Sequence, residues 1–532
     1  MLNVFAKLQD LSQVLDSFGG ETRGIERVLG HERSKTASPV VISVLGLWLS
    51  GCGGLTSMSS YFLGALVFGL GLKDSLISGL VATILGCLVA AYCSTMGPRS
   101  GLRQLVTARY IFGGTFIRFV VVISVLGFVG WSVTNCVLGG QILLAVSNGK
   151  VPLEVGIVII NVISVVVSIF GITQVLRFEL FISVPVFITV ILLYIMGDNQ
   201  YPYYTDTVSY GDEMTIRGNW LGFFALAYSV TATWGGCACD YYIQFPENFP
   251  QIWTFAITFF GISIPTIIGA IIGMYLGNAT SSYQPWLDSY DANSLGGLLD
   301  TVFSRWGGGG KFLLMVFWLS LITNNVINNY SSALEAQLLG SWVFKRFPRW
   351  FLVCVAGGAV LICAMVGRNK FSTILSNFLP MLGYWISMYF TLLLEENLIF
   401  RSTRLINLYT VEFPNGISDD YAVEFAADAE KTSEEASELE PDSKKPVSVS
   451  KPYYNFEVWD DTSSLTHGYA AAFAFCCGVA GAVVGMAQVY YIGPISAKIG
   501  EYGGDLGMWL SMSFTGIAYP ACRYLELKRF GR

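Results

Sequence analysis

Twelve separate stretches of the chain are apolar for about 20 residues or more, the length an α-helix needs to cross a lipid bilayer. They fall at residues 40–66, 75–97, 115–147, 153–176, 179–197, 219–240, 252–277, 311–340, 350–367, 371–396, 468–492 and 505–522. No water-soluble core could hide them all, because single cores stop growing at about 250–300 residues. Of the 532 residues 53% are hydrophobic and only 13% charged, against about 25% charged in soluble domains. The chain therefore reads as an all-α polytopic membrane protein with about twelve transmembrane helices. A soluble enzyme, a disordered scaffold and, at a net charge of −6, a basic nucleic-acid binder are excluded.

Lysine and arginine set the expected orientation. With the N-terminus inside, the inner connections hold 23 of these residues and the outer ones 8, so the positive-inside rule places both termini in the cytosol. The expected organisation is an N-terminal cytoplasmic segment (1–39), a ten-helix core (40–396), a largely disordered cytoplasmic loop (397–467), two further helices (468–522) and a short cytoplasmic tail (523–532). The middle of the loop, 424–452, is rich in Glu, Ala, Ser, Lys and Pro and has little to bury. Its Lys431, Lys444, Lys445 and Lys451 are candidate sites for trafficking or ubiquitination machinery. Asn278-Ala279-Thr280 is a candidate glycan acceptor at the outer end of the seventh span.

Metal chemistry finds no footing. His31 and His467 are the only histidines, both outside the apolar runs, and the eleven cysteines show no ligand spacing.

Function in such a chain is expected where the apolar pattern fails, since backbone polar groups in hydrocarbon must be satisfied internally or line a cavity. The first span reads Trp48-Leu49-Ser50-Gly51-Cys52-Gly53-Gly54-Leu55-Thr56-Ser57. The sixth reads Thr231-Ala232-Thr233-Trp234-Gly235-Gly236-Cys237-Ala238-Cys239-Asp240. Glycine disfavours helix by about 1 kcal/mol per residue, so helix breaks are expected at Gly51, Gly53 and Gly54 and at Gly235 and Gly236. Paired interruptions in the two halves of a core mark a secondary transporter's midplane site.

Two other spans carry amides, which are costly in hydrocarbon unless paired. The third has Trp131 and Asn135 four apart on one face. The eighth has Asn324, Asn325, Asn328 and Asn329, with 324 and 328 on one face and 325 and 329 on the next. The expected site is an aromatic slot: Trp131 and Trp234 stack on a small flat ring, and Asn135 with the eighth-span amides bonds its edge. Asp240 and Glu335 are the proton-coupling candidates.

Several motifs resemble the fungal purine–cytosine permeases of the nucleobase–cation symporter family: Glu21-Thr22-Arg23-Gly24-Ile25-Glu26-Arg27, Ser100-Gly101-Leu102-Arg103-Gln104 followed by Ala108-Arg109-Tyr110, Val129-Gly130-Trp131 with Asn135, and Asp240-Tyr241-Tyr242. The ending Leu525-Glu526-Leu527-Lys528-Arg529-Phe530-Gly531-Arg532 fits as well. The resemblance covers nearly the whole chain. It implies a LeuT-like 5+5 inverted repeat plus two C-terminal helices, with substrate held between spans one, three, six and eight at Ser50, Trp131, Asn135, Trp234, Asn325 and Asn328. It also implies a plasma-membrane symporter, with a proton as coupling ion in preference to sodium and no other cofactor. Within the family, Trp48-Leu49-Ser50 with Gly53-Gly54-Leu55, Thr231-Ala232-Thr233-Trp234-Gly235, Asn324-Asn325-Val326-Ile327-Asn328 and Phe371-Ser372-Thr373-Ile374-Leu375 resemble carriers of vitamin B6 (pyridoxine). Nucleobase permeases tend to have Asn at Cys52 and Pro at Ile327, positions expected in the pocket. A purine/cytosine–proton symporter is the alternative.

Overall fold

A computed structural model describes residues 24–170, 172–203, 207–340, 347–414 and 452–532. The loop centre with its four lysines and the Glu21–Arg23 part of the N-terminal motif lie outside the described residues.

All twelve spans are helical. Among the described residues eight helices are long and apolar enough to cross a membrane, and Leu153–Ser168 and Tyr469–Gly485 are shorter apolar helices. Glu213–Ala232 (sixth span) and Gly507–Phe530 (twelfth) complete the set. The third span, Arg109–Val146, runs 38 residues. Its start, Arg109–Phe112, is a foot set off by Gly113, whose positive φ of 66° breaks the helix there.

The structure departs from expectation in four places. The fifth span begins at Ile172, so the fourth ends at Ser168. A helix at Gln284–Phe303, too polar to read as a span, precedes the eighth span at Gly307–Ala336. The eleventh ends at Gly485 and passes into a short hairpin of β1 (Ala487–Gln488) and β2 (Tyr491–Ile492). The flanks of the 397–467 loop are ordered. A π-turn at Glu396–Arg401 and 3-10 turns at Arg404–Leu408 and Phe456–Val458 hold them, because Arg401, buried, bonds Glu396 and Glu412 at 2.9 and 3.0 Å.

The first span packs along the fifth and seventh, the eighth along the third, fourth, fifth and ninth, and the tenth along the sixth and twelfth. This leaves the middles of spans one, three, six, eight and ten facing one interior.

Candidate functional site

The first span breaks at a single residue. Ser38–Gly53 and Leu55–Tyr61 are helical, and Gly54 between them is extended (φ −93°, ψ −172°). Gly51 and Gly53 stay helical. Their lack of a side chain serves close packing, since a Cβ on Gly51 would lie 3.1 Å from the Trp234 ring. The backbone groups freed by the break are met from neighbouring spans. Leu55 N donates to Ser320 Oγ at 2.9 Å, and Asn324 Nδ2 donates to the Gly51 carbonyl at 3.2 Å. An eighth-span amide thus holds open the first span's gap, as backbone inside a membrane requires.

The sixth span does not break in the same way. After Ala232 it tightens into two 3-10 turns, Thr233–Gly236 and Ala238–Tyr241, meeting at the non-helical Cys237 (φ −138°, ψ 1°). Gly235 and Gly236 therefore sit in a tightened turn, and the discontinuity falls one residue beyond them.

Between these two irregularities lies a narrow cavity, part of it continuous with solvent, with about 40 Å³ open to the centre of a water-sized sphere. Thr56 and Ser57 come from the first span, Ser124, Gly127, Phe128 and Trp131 from the third. Val230, Thr233, Trp234 and Cys237 come from the sixth, Asn324 and Asn328 from the eighth, and Leu382 and Trp385 from the tenth. Its walls are mainly aromatic and aliphatic. Polar groups gather on the first- and eighth-span sides, and Thr56 Oγ1 is buried with no hydrogen-bond partner among the described residues.

Four of the residues expected from sequence, Trp131, Trp234, Asn324 and Asn328, meet on this cavity. Asn135 and Asn325 stand behind it. Asn135 Nδ2 donates to Asn324 Oδ1 and Asn325 Oδ1, each at 2.9 Å, and Asn325 donates to Cys136 Sγ at 3.4 Å. They fix the wall amides rather than form the wall. Ser50 is buried one turn before the break, away from the lining. Cys52 and Ile327, expected in the pocket, also lie outside the lining. Ile327 packs on Gly51, whose Cβ would meet its Cδ1 at 3.2 Å. Ser124, Phe128, Thr233 and Trp385 line the cavity without having been singled out. Ser124 and Phe128 precede Trp131 by seven and three residues, so one helical face carries all three.

An interlock forms around the Ser100–Gln104 turn, against the second 3-10 turn of the sixth span. Arg103 pairs with Asp240 at 3.7 Å and donates to the Tyr330 hydroxyl at 2.9 Å. Asp240 also accepts from Gln104 N at 2.7 Å, and Gln104 Nε2 donates to the Tyr389 hydroxyl at 2.7 Å. One turn thereby ties spans six, eight and ten together. Glu335, two helical turns beyond Asn328, is buried, and neither carboxylate oxygen has a hydrogen-bond partner among the described residues. Among the described residues no group of three or more His, Cys, Asp or Glu could hold a metal ion.

Residues 35–405 match the family described as permease for cytosine/purines, uracil, thiamine, allantoin. Over 525 residues the sequence is 52% identical to the vitamin B6 transporter TPN1 of Saccharomyces cerevisiae, covering 98% of this chain and 90% of that one. It is 30% identical over 531 residues to the purine-cytosine permease fcyB of Emericella nidulans, covering 100% and 93%. A solved structure of Mhp1, a nucleobase-cation-symport-1 family transporter in a closed conformation with bromovinylhydantoin bound, superposes with a TM-score of 0.58. That comparison covers 96% of each chain at 14% identity. At that identity the likeness is one of fold, and the fold is the LeuT-like arrangement.

Proposed function

The chain belongs to the family of permeases for cytosine/purines, uracil, thiamine and allantoin, and from that premise we propose that it imports vitamin B6, pyridoxine and its related vitamers, by alternating access. The observation that carries this reading is the 52% identity, over nearly the full length of both chains, to a vitamin B6 transporter. A purine/cytosine–proton symporter is the second reading, and the 30% identity to a purine-cytosine permease speaks for it less strongly.

The chemistry of the cavity agrees with a flat, uncharged heteroaromatic solute. Pyridoxine offers a ring face to Trp131 and Trp234 and hydroxyls to Asn324, Asn328 and Thr56. The substrate enters from outside, is enclosed at the midplane, and leaves inward once the Arg103–Asp240 interlock opens. Both termini then lie in the cytosol and the protein sits in the plasma membrane. A proton moving inward supplies the driving force, about 2.3 kcal/mol per 100 mV of membrane potential. Asp240, in the interlock, and Glu335, between the interlock and the cavity, are the coupling residues of this reading.

Uptake of radiolabelled pyridoxine by cells expressing the chain tests it. Excess unlabelled pyridoxine should abolish accumulation, and excess cytosine or adenine should leave it within about twofold. Competition by the nucleobases instead would favour the second reading. Concentrative uptake that survives a proton ionophore would refute proton symport.

A further inference from the structure

A further acidic residue is sealed inside the bundle, on the fifth span. Glu179 is 0% exposed, and neither of its carboxylate oxygens has a hydrogen-bond partner among the described residues. Its polar neighbour is Ser50, whose own hydroxyl is also buried without a partner. Ser50 stands one turn before the gap at Gly54, so the carboxylate lies near the hinge end of the first span's first half. The seam is tight on one side of this pair, where a Cβ on Gly46 would lie 3.0 Å from Leu180 Cα, and in ordinary contact on the other, where one on Gly53 would lie 3.8 Å from the Phe187 ring.

Charged groups on the surrounding elements face elsewhere. The first and seventh spans carry no Asp, Glu, Lys or Arg between 38 and 66 or between 251 and 282. On the eighth span, Lys311 bonds the Val146 carbonyl and pairs with Asp300, while Glu335 lies towards Ser124 and Asp240. Arg349 donates to the carbonyls of Ser168 and Phe170, and Arg177 is exposed. Cys52 lies towards Cys87 and Cys237. An anion at Glu179 thus finds no cation among the described residues, and an unpaired charge is strongly disfavoured in a dry interior.

We infer that Glu179 is a proton-binding site of the transport cycle, with Ser50 Oγ the acceptor for its acidic hydrogen. A proton taken from the outer medium converts the carboxylate to the neutral acid, which fits the dry seam between spans one and five. Its release to the inner medium restores the anion, which needs water or a cation and so holds the seam apart. Closure of the seam is thereby conditional on the proton. This rests on the secondary-transport reading above and adds to it a carboxylate on the fifth span.

Glu179→Gln and Glu179→Asp in the full chain separate the outcomes, measured with the unaltered chain for both concentrative uptake and pyridoxine exchange. Exchange needs no net proton movement. Glu179→Gln should lose accumulation more than about tenfold, with a flat response to external pH, while exchange stays within about threefold. Glu179→Asp, which keeps the acid, should retain pH-dependent accumulation. Normal pH-dependent accumulation by Glu179→Gln would overturn the inference. So would loss of exchange in both variants at normal surface expression, or an uptake driven by sodium that Glu179→Gln removes. If the unaltered chain takes up no pyridoxine, the functional reading fails instead, which keeps the two failures distinct.

Discussion

The indole of Trp48 stands edge-on to that of Trp234, ring centres 5.4 Å apart and planes at 89°. Trp48 is fully buried, meets Tyr241 in the same way at 5.5 Å, and donates its Nε1 to the Tyr242 hydroxyl at 3.2 Å. The first span thus props the ring that forms one wall of the cavity. An edge contact of this kind is worth about 0.5–1.5 kcal/mol beyond area burial. Trp48→Leu should therefore raise the half-saturation concentration for uptake about two- to tenfold at normal surface expression. Trp48→Phe, which keeps an aromatic edge, should change it less, and Trp234→Ala, which removes the wall itself, more.

Asn328 should be the most demanding of the amides. It lines the cavity and donates to Asn324 Oδ1 at 3.0 Å, while Asn324 holds the Gly51 carbonyl. Asn328→Ala removes a cavity amide without touching the first-span gap, so uptake should fall to background with surface expression intact. Asn325→Ala leaves the wall amides in place and loosens their support, and should lower surface expression or thermal stability while leaving measurable uptake. Uptake of labelled pyridoxine beside a surface-expression assay checks both.

The sequence revealed the membrane class and the meeting of Trp131, Trp234, Asn324 and Asn328, because glycine clusters and amides are expensive in hydrocarbon and need a reason to be there. Periodicity also separated the 324/328 face from the 325/329 face. It could not say which face met the cavity, since the rotation of a span is set by the spans packed on it. The same holds for Glu179: one acid in an apolar run reads as a span boundary until packing seals it. Gln284–Phe303 was too polar to register, and the ordered flanks of the 397–467 loop depend on pairings between residues far apart in the chain.

Gly86 packs the second span against the sixth at the turn leading into the irregular segment. A Cβ there would lie 2.5 Å from the Tyr228 carbonyl oxygen and 2.8 Å from Ala232 N, both backbone atoms. Neither can rotate aside, so Gly86→Ala must displace the helix. Overpacking of this kind costs about 1–3 kcal/mol. Gly86→Ala should lower the melting temperature of purified protein and reduce uptake. Gly358→Ala, where nothing lies within 4 Å of the new atom, should do neither.

The Arg103–Asp240 pair lies in the interlock, with side chains only 5% and 2% exposed. Truncating one partner of a buried pair costs about 3–5 kcal/mol. Asp240→Asn should weaken closure on that side and raise the reactivity, towards a membrane-impermeant thiol reagent applied to inside-out vesicles, of a cysteine placed at Ser331, which meets the Tyr241 hydroxyl at 3.3 Å. Labelling equal to that of the parent would mean that the pair does not hold the interlock.

At the far end of the tenth span, Glu396 is fully buried between two arginines. Arg401 Nε reaches it at 2.9 Å and Arg523 Nε at 3.2 Å, while the hydroxyls of Tyr409 and Tyr519 donate to it at 2.7 and 2.8 Å. Arg523 in turn pairs with Glu526 at 3.1 Å and donates to Thr466 at 2.8 Å. The last helix is thus bolted to the transport core by charge as well as by apolar packing. Arg523→Ala leaves Glu396 with one cation in place of two, and truncating a buried pair costs about 3–5 kcal/mol. The variant should melt at a markedly lower temperature and reach the cell surface poorly. Material that does arrive should bind pyridoxine with unchanged affinity, because no member of the cluster lines the cavity. A shifted binding constant with unchanged stability would place the last helix in the transport machinery instead.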